Sequence, residues 1–131
     1  MSAKILIIED NEQNMYLLTF LLNNHGHQVV QAGDGQQGIE LAEKEIPDLI
    51  LMDIQLPEMD GYAVTRKIKT IPALAGIPSV AVTSYAMVGD REKTIDAGCS
   101  GYIEKPINPE TFMEQIRDFM PGMPQGRRIE P

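Results

Sequence analysis

Tryptophan is absent from this chain, cysteine occurs once, and four tyrosines and three phenylalanines are its only large aromatic residues. A single thiol excludes an internal disulfide. Gly98 and Ser100 on either side of Cys99 supply no metal-ligand spacing, so Cys99 reads as a small buried residue in a reducing compartment. Positive charge is also scarce. Eleven lysines and arginines face nineteen aspartates and glutamates, a formal charge of −8, and such a field attracts neither a phosphate backbone nor an acidic lipid surface. Direct contact with nucleic acid or a membrane is not expected. No apolar run approaches the ~18 to 20 residues of a membrane span, and Met1-Ser2-Ala3-Lys4 leads straight into a strand pattern without a secretory signal. The expected location is cytoplasmic.

What the chain does have is apolar runs that end in acid. At 131 residues with 43% hydrophobic content it suffices for one domain with a real core and is too short for two. Leu49-Ile50-Leu51-Met52 is continuous and apolar, the pattern of a strand buried on both faces, and Asp53 closes it. Lys4-Ile5-Leu6-Ile7-Ile8 is a second such run, and it ends in Glu9-Asp10. Two sequence-distant strands thus deliver acids to one edge, where open α/β sheets place their ligands. Like charges brought that close repel, and a hard cation bound by oxygens relieves them. The natural reading is an acidic Mg²⁺ (or Mn²⁺) site.

The remaining sequence alternates regularly. Glu12 to Asn24 places Met15, Leu18 and Leu22 on one helical face with Leu17 and Leu21 beside it, and Gly26 stops the helix. Residues 28–32 read as a short strand, and Gly33-Asp34-Gly35 turns into a helix around Ile39, Leu41 and Ala42 that Pro47 ends. After the Asp53 strand, a loop with Pro57 and Gly61 leads to a helix over Val64 and Ile68. Ser79-Val80-Ala81-Val82-Thr83 is a fourth strand, Gly89-Asp90 opens a fourth helix closed by Gly98, and Gly101-Tyr102-Ile103 is a fifth strand. Asn108 as N-cap with Pro109 following opens a last helix with Phe112, Ile116 and Phe119 inward. Five strand-helix repeats with crossovers of this length predict an α/β, doubly wound, five-stranded parallel sheet with five helices. Residues 1–120 form the domain, and residues 121–131, rich in Pro and Gly and aperiodic, read as a flexible tail in which Arg127 and Arg128 are solvated.

In this arrangement Glu9, Asp10, Asp53, Thr83 and Lys105 each fall at or just past a strand's carboxyl end. Carboxylate, hydroxyl and ammonium converge there. Lys105-Pro106 can adopt a cis bond that aims the lysine inward. A phosphohydrolase with an Asp nucleophile would use similar parts, but that class places an acid two residues after the nucleophile, where Gln55 stands. A nucleotide-binding module would need a phosphate cradle after the first strand, and Glu9-Asp10-Asn11-Glu12 is its electrostatic opposite.

From Ala3 to Met120 the chain resembles the receiver domain of bacterial two-component response regulators. In that family an acidic pair follows the first strand, the phospho-acceptor Asp the third, Thr or Ser the fourth and Lys-Pro the fifth; Glu9-Asp10, Asp53, Thr83 and Lys105-Pro106 match in order and spacing, as do Pro57, Gly61 and Gly98. The wording Glu9-Asp10-Asn11, Met52-Asp53-Ile54-Gln55-Leu56-Pro57 and Ala86-Met87 is most similar to stand-alone regulators of the DivK cell-division type. The resemblance implies the flavodoxin-like strand order 2-1-3-4-5 and an acceptor switch rather than an enzyme. It further implies that Asp53 takes a phosphoryl group from a histidine kinase or histidine phosphotransfer protein. Mg²⁺ would sit on Asp10, Asp53 and the backbone carbonyl of Gln55, with Glu9 acting through water. Thr83 and Tyr102 would be the switch pair, and Gln55 and Tyr85 would flank the water route and tune phosphoryl lifetime. A downstream protein would read the surface of residues 90–120. A receiver module from a hybrid kinase, or a phosphate sink, is the alternative implied by the same residues.

Overall fold

The computed structural model describes residues 2–56, 60–83 and 90–120. Five strands, β1 (Lys4–Ile8), β2 (Gln28–Ala32), β3 (Leu49–Asp53), β4 (Ser79–Thr83) and β5 (Gly101–Glu104), form one parallel sheet in the order β2-β1-β3-β4-β5. The helices between and after them are α1 (Glu12–Asn24), α2 (Gly35–Glu45), α3 (Gly61–Lys69), α4 (Asp90–Asp96) and α5 (Pro109–Arg117). The predicted doubly wound α/β architecture is the one observed. Alternation along the strands splits the core in two. Ile5, Ile7, Leu49, Leu51, Val80 and Val82 face α1 and α5, where Leu18, Leu22, Phe112 and Ile116 meet them. Leu6, Ile8, Ile50 and Met52 face Ile39, Ala42, Val64 and Ile68 of α2 and α3. β3 and β4 are buried at every position, Leu49 to Met52 and Val80 to Val82 with apolar side chains and Asp53, Ser79 and Thr83 with polar ones.

Short polar side chains start the helices. Asn11, Asp34, Asp60 and Asn108 accept from the backbone N–H of Asn14, Gln37, Ala63 and Glu110, satisfying donors that the first turn leaves open. The end of α2 differs from the sequence expectation in one respect. Pro47 ends the helix by barring the right-handed helical region to the residue before it, and Ile46 is the residue that turns, at φ +45°, with its N–H donating to Ala42 O. A β-branched residue in that region is strained. Gly26 and Gly98 occupy positive φ at the ends of α1 and α4, as placed from sequence. Among the described residues no helix is long and apolar enough to cross a membrane.

Candidate functional site

The parallel register brings the ends of β1, β3, β4 and β5 to one edge. Asp53 is the last residue of β3 and Thr83 the last of β4, each 3% exposed. Glu9 follows β1 and is equally buried, whereas Asp10 beside it is exposed. Three carboxylate oxygens, one each from Glu9, Asp10 and Asp53, lie within 4.8 Å of one another. Lys105 directly follows β5 and precedes a cis bond to Pro106; its ammonium points inward, 3.2 Å from Glu9 Oε1 and 3.4 Å from Asp53 Oδ2. Glu9, Asp10, Asp53 and Lys105 thus come together, with Thr83 at the same edge of the sheet. Beside it opens a cleft of about 550 Å³ lined by Glu9, Asp10, Glu12, Met15, Tyr16 and Gln31 among others.

Backbone groups hold the carboxylates in place. The N–H of Gln55 donates to Asp53 Oδ1 at 2.9 Å, and the N–H of Asn11 donates to Glu9 Oε2 at 3.1 Å. Asn11 thereby serves twice, since its own side chain caps α1. The N–H of Glu9 donates to Ala32 O, which ties the end of β1 to β2, and the N–H of Lys105 donates to Thr83 O at 2.8 Å. Glu9 Oε1 sits within ion-pair distance of Lys105 yet makes no aligned hydrogen bond among the described residues. Burial first, then the neighbouring Asp53 carboxyl, pushes the Glu9 carboxyl up to about 7. A buried carboxylate oxygen without a directed donor, inside a cluster of three acids, is a donor set suited to a hard divalent cation.

Two contributors were not visible in the sequence. A Cβ at Gly61 would lie 2.6 Å from Asp53 O and 2.7 Å from Ile54 Cα, so only glycine lets the first turn of α3 close onto the segment that carries Asp53, where its N–H reaches Ile54 O. In the sequence Gly61 reads as a loop residue and a point of family likeness. The contribution of Ala32 is a backbone carbonyl at the end of β2, which its side chain does not announce. Tyr102 pairs with Ala81 in the β4–β5 register, two positions below Thr83, and packs against Ile54, Ala81 and Cys99. Cys99 is buried, as expected. Pro57, Tyr85, Ala86, Met87 and the tail 121–131 lie outside the described residues.

Comparison with known proteins identifies the class to which this edge and strand order belong. The family described as response regulator receiver domain matches residues 5–117, and the chain belongs to that family. It is similar to the polar-differentiation response regulator DivK of Brucella ovis, 42% identical over 120 residues that cover 92% of this chain and 98% of the relative. DivK of Brucella anthropi is equally similar. Among solved structures, the receiver domain of the sensor histidine kinase PA1611 of Pseudomonas aeruginosa superimposes with a TM-score of 0.83. It is 34% identical, covers 91% of this chain and 98% of its own, and has a magnesium ion coordinated in its active-site cleft. The chemotaxis response regulator CheY4 of Vibrio cholerae, 23% identical with a TM-score of 0.87 over 92% of this chain and 100% of its own, shares the fold.

Proposed function

We propose that this protein is a single-domain response regulator that accepts a phosphoryl group onto Asp53 from a histidine kinase or histidine phosphotransfer protein and switches a protein-binding surface in residues 90–120. The observation that carries the reading is the placement of Asp53: buried at the end of β3, with two further acids within 4.8 Å and an ammonium 3.4 Å away. An ionised carboxylate needs no general base. One of its oxygens forms the new P–O bond as the P–N bond of the phosphohistidine breaks, and the imidazole leaves with the electron pair. Gln55 N–H fixes the carboxylate through Oδ1, so the attack angle is set before the donor arrives. Lys105 neutralises charge on the phosphoryl oxygens, and positioning of this kind supplies most of the rate in phosphoryl transfer.

Glu9, Asp10, Asp53 and the backbone carbonyl of Gln55 would hold Mg²⁺ (or Mn²⁺), whose chemistry is to offset the charge shared by nucleophile and phosphoryl group. That the PA1611 receiver, a relative by both sequence and fold, carries magnesium in its cleft supports the assignment. The acyl phosphate brings ~1 to 2 further negative charges to this edge. Thr83 turns its hydroxyl toward them, and Tyr102, two register positions below on the neighbouring strand, follows into the space vacated. The 42% identity to DivK over nearly the whole of both chains favours a stand-alone regulator over a module from a hybrid kinase. Residues 1–120 form the receiver domain that carries the switch. The test is labelling by acetyl phosphate with Mg²⁺: Asp53→Asn should keep the circular dichroism of the wild type and lose the label. Strong residual labelling of a folded Asp53→Asn protein would overturn the assignment.

A further inference from the structure

Away from the acidic edge, β5 and α5 enclose a second cleft of about 330 Å³ lined by Tyr102, Thr111, Glu114, Gln115, Asp118 and Phe119. Its volume is at the small end of ligand-binding clefts, ~300 to 1,000 Å³, and its wall is built rather than incidental. A Cβ at Gly101 would lie 2.5 Å from Phe119 Cζ, so the absence of a side chain at the first residue of β5 is what seats the Phe119 ring. The lining thus combines two aromatic residues, Tyr102 and Phe119, with two carboxylates, Glu114 and Asp118. Arg117 is the single base of α5 against Glu110 and Glu114 within the helix and Asp118 at its C-cap. The whole chain, at −8, adds its field to that of the cleft.

We propose that the cleft between β5 and α5 receives a basic side chain of a protein partner, arginine in preference to lysine. A cation over the faces of Tyr102 and Phe119 is attracted by the ring quadrupoles, and a planar guanidinium can stack there while its N–H groups pair with Glu114 and Asp118. An ammonium has only the charge. The inference rests on the reading of residues 90–120 as the output surface and supplies the chemistry of what docks there. It also ties the cleft to Asp53. Tyr102 is at once a wall of the cleft and a member of the cluster with Ile54, the residue after Asp53, so a rotation of its ring changes the space offered to the incoming side chain.

The test is a titration of ¹⁵N-labelled protein with a blocked pentapeptide carrying one arginine between glycines, beside its lysine and citrulline counterparts. The arginine peptide should shift the amides of residues 101–102 and 111–119, the lysine peptide should bind more weakly, and the citrulline peptide should leave them still. Glu114→Gln with Asp118→Asn should weaken the arginine peptide by ~3-fold or more, the scale of a pair of exposed ion pairs. Beryllofluoride with Mg²⁺, a phosphoryl mimic at Asp53, should change the affinity by ~5-fold or more. Peptide binding that is lost in the double variant but indifferent to beryllofluoride supports the cleft and overturns its link to Asp53. A peptide that shifts none of these amides, or shifts them equally in the double variant, overturns the cleft itself, whatever Asp53→Asn does in the labelling test.

Discussion

Two lysine–glutamate pairs of identical length stand at opposite ends of the same sheet. At the amino end Lys4 Nζ lies 3.2 Å from Glu45 Oε1, with side chains 31% and 28% exposed; at the carboxyl end Lys105 Nζ lies 3.2 Å from Glu9 Oε1, with side chains 13% and 1% exposed. Water solvates the first pair whether or not it forms, so its formation is worth ~0 to 1 kcal/mol. The second has been taken out of water and shares its ammonium with Asp53, so its attraction must first offset desolvation. In the amino-end pair Lys4 donates to both the carboxylate and the backbone carbonyl of Glu45. The carboxyl-end pair leaves Glu9 Oε1 without an aligned donor. One end of the sheet is finished, and the other is built to take something up.

Breaking each pair separates them most sharply. Lys105→Met strands two buried carboxylates and should cost about 3 kcal/mol at pH 8, the lower end of what removing one partner of a buried pair costs. Lys4→Met should cost ~1 kcal/mol or less. Urea unfolding without divalent cations measures both, and equal losses would erase the distinction drawn from burial.

The next effect is one of pH. Glu9 binds its proton more tightly in the fold, at about 7, than at its ordinary 4.5. A raised carboxyl contributes stability that is complete below pH ~4.5 and is lost as the pH climbs through 7. The metal-free wild type should therefore lose stability over that window, and Glu9→Gln should flatten the slope. Millimolar Mg²⁺ should restore the wild type at pH 8 and do less for the variant. Unfolding midpoints from pH 4.5 to 8 decide it, and a wild-type slope unchanged by Glu9→Gln would place the titrating group elsewhere.

A third lysine sharpens the comparison. Lys69 at the end of α3 donates to Ile77 O at 2.7 Å and Ala75 O at 3.2 Å, with no carboxylate partner among the described residues, and burial lowers its ammonium below the usual lysine range. It ties a chain segment rather than balancing an acid, so Lys69→Met should cost ~1 to 2 kcal/mol, with little dependence on salt. A strongly salt-dependent loss would show that its role is charge and not carbonyl capping.

The strands were readable because a parallel sheet covered on both faces demands apolar runs, and Leu49 to Met52 and Val80 to Val82 supply them locally. Asp53, Thr83 and Lys105 were readable for the same reason: a polar residue that ends such a run must emerge at the sheet's edge. Glycine positions told less. Gly98 announces a positive φ, whereas nothing beside Gly61 in the sequence tells that Asp53 O lies within 2.6 Å of the missing Cβ.

Sequence alone determined which residues are strand and helix, the sheet's class, and the five chemical groups brought to its carboxyl edge, because those follow from periodicity and from where each run ends. Tertiary structure alone decided how those groups meet. The asymmetry between buried Glu9 and exposed Asp10, adjacent in the chain, comes from the direction each side chain takes as β1 leaves the sheet. The shared ammonium of Lys105, the hold of Ala32 O on Glu9, and the seating of Phe119 on Gly101 all join residues at least 18 positions apart. Such contacts depend on register and packing between elements, which no local pattern encodes, and burial then sets the carboxylate energetics on which the site depends.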